Sequence, residues 1–204
     1  ANDRTELNLY DFDGARGGYT ANLNLDMLDA AVYPTRGYRL LSRAFFGREV
    51  FGSDLNYTKV ALDAQLVGSV KKHTFTAELN AGSSLGTDLP EFDMFTAGGP
   101  ERMEAFRTDE FRGQVFGVAA LTWYHQIKGS PSPYSTSWYV GAKIEAGNAW
   151  RNPDNAGLDD LHFCASISLM SKTLLGPLAV TYARAEEGSD AITITLGRLT
   201  SFFD

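Results

Sequence analysis

Gly82-Ser83-Ser84-Leu85-Gly86 has the G-x-S-x-G spacing that presents a serine as an acyl-transfer nucleophile on a sharp strand-to-helix turn. That chemistry needs a helix after the serine and triad partners, and no helix-period segment follows Gly86. Ser84 therefore reads as a strand end opening into a loop, and no catalytic residue is assigned. His73, His125 and His162 lack metal-ligand spacing, and no carboxylate pair is placed beside them for zinc. They read as wall or solvated histidines. Gly98-Gly99 could cradle a phosphate only with a following Gly-Lys-Ser/Thr and a helix N-terminus, both missing. Cys164 is the only cysteine, so it forms no intrachain disulfide and reads as a small filler. Neither a metal nor a cofactor is expected.

The elements that would carry these residues are strands. The 204 residues suit one domain, and 44% apolar with 21% charged residues is a folded composition. A net charge of −7 with no lysine or arginine block argues against a nucleic-acid partner. No segment reaches the roughly 18 apolar residues of a membrane helix. Transmembrane barrels escape that test, because their apolar residues alternate with polar ones.

Alternation is what the chain shows. Tyr19, Ala21, Leu23, Leu25 and Met27 interleave with Thr20, Asn22, Asn24 and Asp26. Trp138, Val140, Ala142, Ile144 and Ala146 interleave with Tyr139, Gly141, Lys143, Glu145 and Gly147. This period of two marks nine strands at 18–28, 36–47, 57–69, 73–83, 112–127, 136–149, 160–173, 177–186 and 190–199. A short tenth is placed at 5–11. Most exceed the about 5–6 residues usual in soluble domains and reach the roughly 9–11 of a tilted membrane-spanning strand. Short connections at 32–37, 70–72, 128–134 and 173–177 alternate with long ones at 47–56, 85–112 and 150–160. Tight turns on one rim and long loops on the other are the habit of outer-membrane barrels. Arg39, Arg43, Lys59, Asp63, Glu78, Lys143 and Glu145 share the face opposite the apolar one, which a soluble sandwich would not bury. From 115 to 124 both faces are apolar or small, as if that strand packed on a plug, a partner or its own loop.

The stretches "AVYPTRGYRL", "FDMFTAGGPERMEAF", "YVGAKIEAGNAW", "LLGPLAVTYA" and "ITITLGRLTSFF", in this order, together resemble motifs of the BamA-type outer-membrane insertase and translocase superfamily. "AVYPTRGYRL" (31–40) resembles its "fPt.G" turn, and "FDMFTAGGPERMEAF" its "F..GG....RGF" signature in a long, lumen-directed external loop. "YVGAKIEAGNAW" resembles its "ff.D.G..w" strand, "LLGPLAVTYA" its "GPl...ya" hairpin, and "ITITLGRLTSFF" its terminal strand. Within that superfamily, "GGPERMEAFRTDEFRG" looks closer to the barrel of patatin-like autotransporters, whose lipase domain is absent. The resemblance covers about the last nine of the family's sixteen strands, and nothing resembles its periplasmic POTRA repeats.

By the resemblance, Gly98, Gly99, Glu104, Phe106 and Arg107 form the loop signature, and Lys143, Glu145 and Gly147 the lumen wall that meets it. In the family a loop arginine pairs with an acidic wall residue. Here Glu104 stands at the arginine position, Ala105 at the glycine, and Glu145 at the acid. Two glutamates repel, so rewired pairs are expected: Glu104 with Lys143, and an arginine, Arg102 or Arg107, with Glu145.

The expected fold is all-β, an antiparallel transmembrane β-barrel of 8–10 strands per chain, closed alone, paired with a second chain into one 16-strand barrel, or forming the C-terminal half of a longer chain. Residues 1–17 form an N-terminal segment and 18–204 the barrel, with the long external loop at 85–112. A closed barrel of about eight strands is filled by its own side chains and leaves that loop no room, which favours a homodimer. The expected function is a non-enzymatic pore or transport scaffold in the bacterial outer membrane. Its expected partners are outer-membrane lipids and, by the resemblance, the outer-membrane assembly machinery. A structural barrel without transport and an outer-membrane hydrolase are the alternatives.

Overall fold

The computed structural model describes residues 15–128, 137–173 and 175–197. Nine strands form one antiparallel sheet in chain order: β1 (Gly18–Asp26), β2 (Gly37–Gly47), β3 (Tyr57–Val70), β4 (His73–Ser83), β7 (Val115–Lys128), β8 (Ser137–Trp150), β9 (His162–Thr173), β10 (Gly176–Ala185) and β11 (Asp190–Leu196). Between β4 and β7 the chain makes a small hairpin of β5 (Phe95–Ala97) and β6 (Phe111–Gly113). The expected short strand at 5–11 lies outside the described residues, as does the chain beyond 197.

The register sorts side chains by polarity. Val60, Leu62, Ala64 and Leu66 of β3 pair with Ser83, Ala81, Leu79 and Ala77 of β4 on the convex face, and Asp63 and Gln65 with Asn80 and Glu78 on the concave face. The convex face leaves large apolar residues in the open, Ile192 at 73% and Ile167 at 62% exposure among them. A band of this kind is what a membrane would cover. The buried core lies on the concave side, where Phe45, Tyr57, Phe116 and Val118 of the wall meet Leu89, Phe95, Met103 and Phe106 of the long loop. The doubly apolar strand β7 is thereby explained. Its inward Phe116, Val118 and Ala120 face the loop rather than a watery lumen.

Two connections differ from expectation. The one expected as a short turn at 32–37 runs from 27 to 36 and folds across the sheet's end. The segment expected to begin a strand at 112 pairs instead with β5, while Gln114 at the junction still donates its N–H to Trp150 O at 2.8 Å.

Eight antiparallel steps separate β1 from β11, so the two edges run in the same direction. They are not paired with each other among the described residues. Antiparallel closure thus calls for an odd number of further strands between them. Gly18 pairs with Gly47, which places the start of β1 on the long-loop rim.

Candidate functional site

The site is the contact between the 84–114 loop and the inner wall. At its base, Ser84 N–H bonds Gln114 O at 3.0 Å, and the Gln114 side chain closes a two-way amide pair with the Leu89 backbone, at 2.7 and 3.1 Å. Ser84 is fully buried and its hydroxyl has no partner among the described residues. The chain turns there instead of entering a helix. His73 and His125 sit in register at the opposite ends of β4 and β7.

Gly98 and Gly99 form the loop's bend, at φ 114° and 99°. A Cβ at Gly98 would stand 2.3 Å from the Arg107 carbonyl oxygen, so the tight return of the loop onto itself needs glycine. Met103 follows at φ 64° and 0% exposure. The bend aims two successive backbone N–H groups at the wall, an anion-binding concavity. Glu145 fills it: its Oε1 accepts from Met103 N at 3.0 Å and its Oε2 from Glu104 N at 2.9 Å. Lys143 lies 2.8 Å from Glu145 and 3.4 Å from Glu104, and the Cys164 thiol donates to Glu145 at 3.3 Å.

Glu104 and Lys143 thus come together. Glu145 is seated on loop backbone and Lys143, where an arginine had been expected. Of the two candidate arginines, Arg102 reaches Asp63 of β3 at 3.7 Å, and Arg107 lies exposed with its N–H on Glu110. Phe106 is buried against Phe111 and His162, at ring distances of 4.9 and 5.8 Å. Gly147 lets the wall pack closely, since a Cβ there would meet Gly117 O at 2.6 Å.

A second anchor escaped the sequence reading. Asp93, buried, receives the Tyr57 hydroxyl at 2.7 Å and Lys59 at 2.8 Å, with Arg16 at 3.5 Å. Lys59 also donates to the Asp93 carbonyl at 2.7 Å and lies over the Phe95 ring. Phe95 stacks on Phe116 at 5.0 Å in space that Gly82 vacates, a Cβ there standing 2.3 Å from the Phe95 ring. Its cues were Tyr57 and Lys59 spaced by two on an inward face.

The 27–36 connection closes the other end. Tyr33 packs on Tyr139 at 4.7 Å, and the Tyr124 hydroxyl donates to the Pro34 carbonyl. Burial pushes the Tyr33 phenol up to about 12. The Thr35 hydroxyl, donating to Asp29 at 2.5 Å, holds that carboxyl below its usual range. Between plug and turn lies a chamber of about 480 Å³ whose lining mixes Arg39, Glu78, Ser168 and Thr181 with Val32 and Met170.

A long-stranded antiparallel sheet, apolar outside and polar within, whose longest loop is latched to its inner wall, has the architecture of an outer-membrane barrel. The Omp85 superfamily domain matches residues 8–193, and the chain belongs to that superfamily. Among solved structures it is similar to BamA from Haemophilus ducreyi lacking POTRA domains 1–3, with a TM-score of 0.70 and 17% identity, over 85% of this chain and 40% of that one. The chain spans less than half of that structure's length, and the likeness concerns the fold. No curated protein matches.

Proposed function

We propose that the chain is the pore or translocation scaffold of a bacterial outer-membrane protein, without catalytic function, and that the 84–114 loop is the plug of its lumen. The carrying observation is the seat of Glu145 on the Met103 and Glu104 N–H groups. That carboxylate, with Lys143 beside it, joins loop to wall by groups that water can reclaim when the loop leaves. Planar-bilayer conductance of the full chain tests this. Wild type is expected to give small or rare currents, and Glu145→Gln larger and more frequent ones. No current from either protein at any voltage would contradict the pore and favour a structural barrel. Lipase activity abolished by Ser84→Ala would instead establish the hydrolase.

The unpaired edges bear on partners. Exposed backbone groups are costly in lipid, each by several kcal/mol, so both edges must be covered. Assembly with a second copy closes antiparallel only if each copy adds an odd number of strands to the nine described. The mass of the folded species in detergent decides between one chain and two. Insertion by the outer-membrane assembly machinery is part of the same reading, tested by whether depleting that machinery removes the folded protein from the outer-membrane fraction.

A further inference from the structure

The convex face carries one site that the plugged lumen does not use. Where β3, β4, β7 and β8 lie side by side, the register sets outward residues in rows. Val70, His73, His125 and Val140 form the row at the short-turn rim. Gly68, Phe75, Trp123 and Ala142 form the next, and Leu66, Ala77, Leu121 and Ile144 the third. The second row has a ridge of Phe75 and Trp123 between Gly68 and Ala142, and the third dips at Ala77. The result is an apolar groove of about 690 Å³ running up the wall.

Its rim end is basic and polar. The two-residue turn from β3 to β4 is Lys71-Lys72, both exposed. Lys71 stands at φ 59°, a position that glycine or asparagine ordinarily takes, so lysine sits there at a backbone cost. The His73 and His125 rings lie 4.5 Å apart. Trp123 Nε1 donates to His73 Nδ1 at 3.1 Å, which places the proton of a neutral His73 on Nε2. His125 Nδ1 is buried without a partner among the described residues. No carboxylate stands in any of the three rows.

We propose that this groove binds a phospholipid with an anionic headgroup. Its phosphate is held at Lys71, Lys72 and His73, and an acyl chain lies along Gly68 and Ala77, against the Phe75–Trp123 ridge. Charge complementarity selects the occupant: the Lys71-Lys72 turn is cationic and donor-rich, the outward side chains of the neighbouring groove are apolar, and an anionic lipid presents the matching sequence of headgroup and chain. The inference rests on the outer-membrane reading above.

The test uses the full chain folded in detergent micelles, phosphatidylglycerol or phosphatidylcholine brominated on the acyl chains as probe, and the fluorescence lost in Trp123→Phe to define the Trp123 signal. Phosphatidylglycerol is expected to quench Trp123 at lower concentration than phosphatidylcholine does. Lys71→Ala/Lys72→Ala is expected to shrink that advantage by about fivefold per lysine. Gly68→Leu is expected to abolish quenching by filling the groove. A Cβ at Gly68 meets nothing within 4 Å, so this variant should keep the folded mobility of the unheated protein on a gel. Equal quenching by the two lipids, a preference unchanged without the lysines, or a folded Gly68→Leu protein quenched like wild type overturns the proposal. If Gly68→Leu does not fold, the lysine variant decides. Refusal of the wild-type chain to enter liposomes would refute the membrane reading as well, separating the two failures.

Discussion

Glu145 accepts the backbone N–H of Glu104 at 2.9 Å, so two residues whose side chains would repel are joined through the main chain of one and the carboxylate of the other. The Glu104 side chain turns aside to Lys143, 3.4 Å away, and Lys143 also bonds Glu145. One lysine thus compensates two carboxylates at the point where loop meets wall.

Removing that lysine leaves both carboxylates uncompensated in a buried setting. Lys143→Met should destabilise the folded chain by about 3–5 kcal/mol, as breaking a buried ion pair does. Adding Glu145→Gln should recover part of the loss. Urea unfolding of the three proteins checks this, and equal stability of Lys143→Met and wild type would refute it.

Glu145→Gln alone keeps the shape but offers one carbonyl oxygen to two N–H donors. The expected cost is about 1–3 kcal/mol for the donor left unsatisfied. Amide exchange at Met103 and Glu104 should quicken while exchange in β3 and β4 stays unchanged.

Asp93→Ala strips Tyr57, Lys59 and Arg16 of their shared acceptor. Lys59 would remain half-buried without its carboxylate. Limited proteolysis should then cut between 85 and 95 well before it cuts at 98–108, because the Glu145 seat is untouched. Simultaneous cutting at both places would show that the two anchors act as one.

Gly82→Ala should drive the Phe95 ring off Phe116, and Phe95→Ala should leave a cavity costing about 3–5 kcal/mol. The two residues share one space, so the double variant should be less destabilised than the sum of the singles. Additive losses measured by urea unfolding would contradict the packing.

Asp29 titrates below its usual range through Thr35, so its stabilising effect on the 27–36 turn is present above the unfolded pKa and is lost as pH falls through the folded one. Acidification should loosen Tyr33 from Tyr139, read as a shift in tyrosine emission, and Asp29→Asn should show the loosened state already at neutral pH.

Much of the sheet was legible because polarity with a period of two is set by which face a residue occupies. The strand at 73–83 was read to the residue, and the apolar inner side of β7 was read as packing on a plug, a partner or its own loop, of which the structure shows the loop. The pairing of His73 with His125 was not legible, since the long loop between β4 and β7 hides their register. Asp93 was missed because its partner Tyr57 lies 36 residues away and their meeting depends on the loop's path. The arginine expected at Glu145 failed for a related reason. A bend at φ 64° presents N–H groups that leave no mark in the side-chain pattern.

The inward seat of the loop is tested most directly by a cross-link to the chain's one native thiol. Ala105 and Cys164 are both buried in the same cluster under the loop. In Ala105→Cys, mild oxidation of the folded protein should join loop to β9, giving a gel shift that reduction or Cys164→Ser abolishes. Failure to cross-link, with the introduced thiol labelled by a membrane-impermeant maleimide as fast as one introduced by Thr108→Cys at an exposed position, would place the loop outside the lumen and contradict the plug.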